Sequence, residues 1–316
     1  VALFVLATGF VAAADSSDEA QTWLKRMTEA LTRLDYEGTF IYLHDAKLNA
    51  MRIVHIVDEK GEHERLVSLN GAAREVIRSN DAVTCFLPDD KSVVVEQRLA
   101  TAPFPSSLTI RAEALGRYYE FMLSGRDRVA GRAARIVALK PKDLYRYGYR
   151  LWLDEQSGML LKSQLLDENG FPIEQFMFTS IEISGNIPRS ALKPASSGEG
   201  FTWYWYNHES AAPGVREGRL RITALPKGFS LSQHKQRSLP RSADPVDHIV
   251  LTDGVATISV FVEKPATGKA LFEGTSRRGA VNVFGTVIGD RQVTVVGEVP
   301  QATVRLIGRS VQWLGD

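Results

Sequence analysis

Histidines, cysteines and paired carboxylates are the side chains that could hold a metal, act as a nucleophile or move a proton. In this chain their spacing argues against all three. The six histidines, at positions 44, 55, 63, 208, 234 and 248, are scattered. None forms His-x-x-x-His, the spacing that puts two imidazoles on one helix face for zinc. His55 alternates with apolar neighbours and reads as a satisfied strand histidine. Cys85 is the single cysteine and sits in the apolar run Val83-Thr-Cys-Phe-Leu87. With no adjacent cation to lower its pKa, it reads as a small buried hydrophobe. The acidic pairs Asp89-Asp90 and Asp167-Glu168 fall in turn-like stretches, whereas acid/base work needs carboxylates in a shielded site. There is no phosphate-cradling Gly-x-x-x-x-Gly-Lys-Ser/Thr loop, no Gly-x-Gly-x-x-Gly after a strand and no Gly-x-Ser-x-Gly elbow. The expectation is a binding protein, not an enzyme, with no cofactor and no metal.

Chemistry that does stand out is suited to binding. Tyr145, Tyr147, Tyr149, Leu151 and Leu153 share one face of an expected strand by period-two alternation. That face is either ordinary core or, in a half-closed sheet, the wall of an apolar groove for acyl chains or a peptide. Phe201-Thr-Trp-Tyr-Trp-Tyr206 places five aromatics in six residues. Trp203 and Trp205 then either pack between domains or on an edge strand, or form an aromatic patch for a partner. Arg277-Arg278, between Gly274 and Gly279, is either a solvated loop or a contact for an acidic partner.

The elements that must position these residues are mostly short strands. Asp18–Arg33 is expected to be a helix, from Trp23, Leu24, Met27, Leu31 and Leu34 at three- and four-residue spacings. Strands follow at 38–43, 51–57, 65–69, 74–78, 83–87 and 93–97, each bounded by Gly, Asn, Asp or Pro, as in a meander of hairpins. Residues 101–107, with Pro103 and Pro105, read as a loop. Arg111–Leu123 is expected to be a second helix, and 126–139 strand broken at Ala130-Gly131. Three further strands, Tyr145–Leu153, Met159–Leu166 and Phe171–Ile183, are joined by Gly-closed turns. About eleven strands and two helices suit a strongly curved sheet wrapped around helical segments.

Residues 186–218, rich in Pro, Gly and Ser, read as a linker. They separate a large domain at 15–185 from a small α+β domain at 219–316. The small domain is expected to hold a strand at 220–225 and hairpins around Asp253-Gly254 and Gly289-Asp290. Pro300 opens its closing helix.

The chain has 316 residues, 44% of them apolar, and a formal net charge of +1. That balance lacks the basic footprint of a nucleic-acid binder. The apolar run Val1–Val11, then Ala12-Ala13-Ala14 and a polar stretch, reads as a signal peptide remnant over residues 1–14, short of the ~20 apolar residues of a membrane span. An exported chain with one cysteine must rest its fold on its cores.

Several segments, in order, resemble the RseB/MucB family of periplasmic regulators of the sigma-E type stress response. They include Gly38-Thr-Phe-Ile-Tyr42, Glu64-Arg-Leu66 with Arg74-Glu-Val76, and Asp127-Arg-Val-Ala-Gly-Arg132. Tyr145-Arg-Tyr-Gly-Tyr149, Leu160-Leu-Lys-Ser163, Glu174-Gln-Phe176 with Phe178, and Leu225-Pro-Lys-Gly-Phe229 continue the series. Ser259-Val-Phe-Val-Glu263 and Val293 to Pro300 complete it, and the MucB branch is the more similar.

The resemblance implies an α+β fold: an N-terminal unclosed antiparallel β-barrel like the carriers LolA and LolB, plus a small C-terminal domain. It implies a periplasmic inhibitor that binds the periplasmic domain of a transmembrane anti-sigma factor and shields it from regulated proteolysis. Lipid or lipopolysaccharide fragments would release it. The groove would then be lined by Phe40, Tyr42, Tyr145, Tyr147, Tyr149, Leu151, Leu153, Phe176 and Phe178. Trp203, Trp205, Arg277 and Arg278 would meet the partner. A homodimer is left open. A periplasmic lipid or lipoprotein carrier is the alternative, resting on the curved sheet alone.

Overall fold

A computed structural model describes residues 11–79, 82–97, 115–206, 220–237, 245–265 and 271–314. The expected loop at 101–107, most of the signal remnant and the latter part of the expected linker lie outside them.

Helix α1 (Val11–Arg33) opens the described chain. Ala20, Leu24 and Met27 recur on one face and are completely buried, with Leu31 following. A helix presents such a stripe only where a surface waits to cover it. That surface is a 12-stranded sheet. Its meander begins with β1 (Tyr36–His44), β2 (Lys47–Asp58), β3 (Gly61–Ser68), β4 (Glu75–Arg78), β5 (Ala82–Leu87) and β6 (Ser92–Gln97). It continues with β7 (Tyr119–Val129), β8 (Arg132–Pro141), β9 (Gly148–Asp154), β10 (Leu160–Leu166), β11 (Pro172–Ile183) and β12 (Thr202–Tyr206). Strand order is β12-β6-β5-β4-β3-β2-β1-β11-β10-β9-β8-β7. The two ends are different strands that do not pair with each other, so the sheet is unclosed.

Every neighbouring pair is antiparallel except β6–β12, which is parallel. Thr202–Tyr206 therefore returns from the expected linker to close one edge. Helix α1 packs across β7, β8 and β10, filling the sheet's interior with one large core.

Two sequence expectations are corrected here. Residues 119–123, expected as helix, begin strand β7. Tyr119 and Phe121 are buried and Glu120 exposed, so period two prevails where Leu115, Tyr118, Tyr119 and Met122 had suggested a helical stripe. Strand β9 starts at Gly148, not Tyr145. Tyr145 lies in a turn and neither Arg146 nor Tyr147 is in strand.

Downstream, β13 (Leu220–Ile222) pairs with β20 (Val311–Trp313). A second sheet of six strands comprises β14 (Ser230–Arg237), β15 (Val246–Thr252), β16 (Thr257–Glu263), β17 (Gly274–Arg278), β18 (Val281–Ile288) and β19 (Arg291–Gly297). Both expected hairpins form: β15–β16 around Asp253-Gly254 and β18–β19 around Gly289-Asp290. Arg277 and Arg278, expected either in a solvated loop or against an acidic partner, sit on edge strand β17. Helix α2 (Gln301–Ser310) follows Pro300, which takes the N-cap. Val304 and Ile307 lock it onto a core built on Ile258, Val260, Val293 and Val295. Among the described residues, no helix is long and apolar enough to cross a membrane.

Candidate functional site at the junction of the two sheets

The aromatic residues expected to line a groove divide into two groups. Phe40, Phe176, Phe178, Leu151 and Leu153 are buried core. The Phe40 ring centroid lies 5.0 Å from that of Phe176, which meets Phe178 edge-to-face at 5.1 Å. Helix α1 covers the same interior with Leu24 and Met27. These five side chains therefore face packed protein and not an open groove, because the helix occupies the space that an unfilled half-barrel would leave. Trp152, on the other face of β9, is buried as well, whereas Arg150 on that face is exposed.

The second group lies where the sheets meet. Residues 145–147 break out of the strand pattern, and each reaches the smaller unit. Thr303 Oγ1 donates to the Tyr145 carbonyl at 2.8 Å. Arg146 Nε donates to Asp253 Oδ2 at 2.7 Å, with further bonds from its guanidinium to Asp143 and the Lys227 carbonyl. Tyr147 donates its hydroxyl to the Ala280 carbonyl at 3.2 Å and accepts from Asn282 Nδ2 at 2.9 Å. Burial first pushes the Tyr147 hydroxyl pKa up to about 12, so it stays protonated and able to donate.

Arg146 is sandwiched as well as bonded. Its guanidinium carbon lies 4.5 Å from the Tyr118 ring centroid and 4.9 Å from that of Phe229. Gly228 makes this approach feasible: a Cβ there would lie 2.4 Å from the Tyr118 ring. Arg278 Nε adds an exposed contact, donating to Asp45 Oδ2 at 2.8 Å. This bond holds the Asp45 carboxyl below its usual value.

Two cavities flank residues 145–149. One, of about 620 Å³, is lined by apolar Met122, Pro141 and Leu144 together with Lys140, Arg146 and Arg150. The other, of about 560 Å³, lies between Tyr149 and the smaller sheet, against Val255, Phe261, Val281 and Glu298. Tyr149 lines both, and burial, followed by the Asp253 charge, raises its hydroxyl pKa strongly. Glu298 keeps much of its surface in solvent, yet desolvation first and the Glu174 charge second raise its carboxyl. Glu174 in turn accepts a 2.6 Å bond from the Tyr42 hydroxyl, whose pKa burial and that bond raise.

Trp203, Tyr204 and Trp205 lie on edge strand β12 and are 40%, 47% and 67% exposed. Trp203 stacks on Trp205 at 5.9 Å and meets Phe86 edge-to-face at 6.1 Å. This exposed aromatic edge lies in the large sheet, apart from the Arg146 junction.

The described histidines, which are all but His208, each have a bonding or stacking neighbour. His55 is completely buried, with Nδ1 2.9 Å from the Leu34 carbonyl and its ring stacked on Tyr36. No cluster suited to a metal occurs among the described residues. The sequence reading missed Arg146, Asp253, Asn282 and Thr303. The sequence carried little signal for them: Arg146 and Arg150 both stand beside tyrosines in the same run, yet Arg146 is buried and Arg150 exposed.

An unclosed sheet filled by a helix and bonded to a second, smaller sheet, with two cavities beside the junction, defines the architecture. Family models place it further. The model described as the MucB/RseB N-terminal domain matches residues 19–196, and that of the MucB/RseB C-terminal domain matches 216–312. The chain belongs to the MucB/RseB family, one of regulatory proteins and not of enzymes.

It is 33% identical to the sigma factor AlgU regulatory protein MucB of Pseudomonas aeruginosa, over 95% of this chain and 92% of that protein. It is 29% identical to the sigma-E factor regulatory protein RseB of Haemophilus influenzae, over 96% of this chain and 94% of that one. Among solved structures, MucB in complex with MucA(peri) superposes with a TM-score of 0.74 at 30% identity, covering 94% of this chain and all of that one. A second structure, of the Pseudomonas aeruginosa MucA/MucB complex, gives 0.75 at the same identity and coverage.

Proposed function

We propose that this protein is a periplasmic negative regulator that binds the periplasmic domain of a transmembrane anti-sigma factor. The observation that carries the reading is its likeness, over 94% of its length, to MucB solved in complex with MucA(peri). The bound protein shields the anti-sigma factor from regulated proteolysis and so keeps the stress sigma factor silent.

The exposed edge of β12 with Trp203 and Trp205, the cleft beside Tyr149 and the strand carrying Arg277 and Arg278 are the surfaces assigned to the partner. Tyr42, Tyr145 and Tyr147 act from beside or within the junction. A lipid or lipopolysaccharide fragment releases the partner, and the cavity combining Met122 and Leu144 with Lys140 and Arg150 has the mixed character that an acylated anion needs. Release requires the lipid to bind better to a form that holds the peptide poorly. Filling of the large sheet's interior by α1 disfavours a carrier that holds acyl chains there.

The test is a pull-down of the mature protein with the periplasmic segment of its anti-sigma factor, without and with lipopolysaccharide. Capture that lipopolysaccharide reverses supports the proposal. No capture in the lipid-free arm overturns it.

A further inference from the structure

We propose that the Arg146–Asp253 pair is a reversible latch: it holds the N-terminal and C-terminal domains in one orientation, and its opening frees them to move. This goes beyond the proposed function, because it concerns how the domains are held whatever the partner is.

Among the described junction contacts, Arg146–Asp253 is the one ion pair buried on both sides, each side chain having no exposed surface. Arg278–Asp45, the other charged contact, is largely in solvent and so contributes little holding force. Parting the pair without admitting water would leave two uncompensated buried charges. Either the pair is made and desolvated or it parts and water enters. A contact of that kind behaves as a two-position device rather than as a sliding surface.

Local chemistry makes parting reversible. Arg146 bonds Asp143, three residues earlier in its own domain, and Asp143 is partly exposed. Arg146 therefore keeps a counter-charge after separation. Asp253 keeps its own bonds too. Its Oδ1 accepts the backbone N–H groups of Val255 at 3.0 Å and Ala256 at 2.8 Å, which shape the β15–β16 turn. Only Oδ2 reaches across to Arg146. Each half is thus preorganised by its own domain and survives the loss of the other. The aromatic rings divide likewise: Tyr118 comes from the N-terminal domain and Phe229 from the C-terminal one.

Asp253→Asn tests this in the full-length protein without any partner. It retains Oδ1 for the turn and replaces the acceptor facing Arg146 with an amide. Small-angle scattering and calorimetry are the readouts, with circular dichroism to verify folding. Wild type should give one unfolding transition and a profile matching the structure. The variant should split that transition in two and show a larger radius of gyration at an unchanged dichroism spectrum. Two results overturn the latch: an unchanged scattering profile in the variant, or a single transition that merely moves down, the mark of an ordinary stabilising contact. A wild type that already shows two transitions overturns it as well. If Asp253→Asn does not fold, Arg146→Lys, which keeps the cation but loses the guanidinium fork, is read by the same criteria.

Discussion

Arg278, on the edge strand β17, donates to Asp45 in the β1–β2 turn of the other domain at 2.8 Å. A cation that the sequence offers to an acidic partner thus already has an acidic neighbour within the chain. Arg277, the adjacent residue, turns its Nε to the Gly279 carbonyl at 2.9 Å.

The two arginines should therefore respond differently to charge reversal. Arg277→Glu is expected to weaken anti-sigma segment binding more at low salt than at high salt, since exposed charges are screened within about a Debye length of ~10 Å at 0.1 M. Arg278→Glu should do the same and also set two carboxylates against each other, a defect that Asp45→Lys in the same chain should relieve. Affinity titrated against salt for the three variants measures this. Equal losses at every salt concentration would rule out an electrostatic role.

Core and binding surface separate at Phe40. Its ring is completely buried against Phe176 and Phe178. Phe40→Ala should cost about 3–5 kcal/mol of stability through lost burial and an unfilled cavity. The folded fraction should bind the anti-sigma segment as wild type does. Denaturant unfolding paired with calorimetric binding decides the point, and an affinity loss at full folding would place Phe40 on a binding surface after all.

Glu298 makes stability depend on pH in a defined direction. Its folded-state pKa is raised by desolvation and by Glu174, so the ionised form is the penalised one. Below the unfolded value both states are protonated and the associated stability is fully present. It is lost as pH rises through the folded value. Glu298→Gln cannot ionise, so it should match wild type near about pH 4 and melt at a higher temperature near about pH 7.5. Melting curves across that window test the sign.

Trp205 is exposed where Trp203 is anchored on Phe86. Trp205→Ala should cost only about 0.5–1.5 kcal/mol of stability, the scale of one stacked pair. If β12 meets the partner, the same change should lower affinity for the anti-sigma segment at least severalfold. Unchanged affinity would remove the β12 edge from the binding surface.

Elements whose sidedness is written locally were legible in the amino-acid order. Leu24, Met27 and Leu31 marked α1, Asp253-Gly254 and Gly289-Asp290 marked two hairpins, and the missing catalytic spacings excluded familiar chemistry. Alternation also identified Leu151 and Leu153 as one apolar face. What covers that face was decided by tertiary packing: Leu151 and Leu153 join the one large core that also takes in Leu24 and Met27 of α1. Period two and period 3.6 were degenerate around Leu115–Met122, and only the neighbouring strand β8 selected extended backbone for Tyr119–Val129.

The fate of Tyr145-Arg146-Tyr147 was the least local of all. Its alternation reads as strand, but its bonding groups are met by Asp253, Ala280, Asn282 and Thr303, between 107 and 158 residues away in the chain. Arg146 has one counter-charge three residues away in Asp143, but the other, Asp253, is brought to it only by packing. The order of residues thus determined local elements such as α1 and the two hairpins, and the absence of recognisable catalytic spacing. Three-dimensional packing decided which aromatics are core and which side chains join the domains.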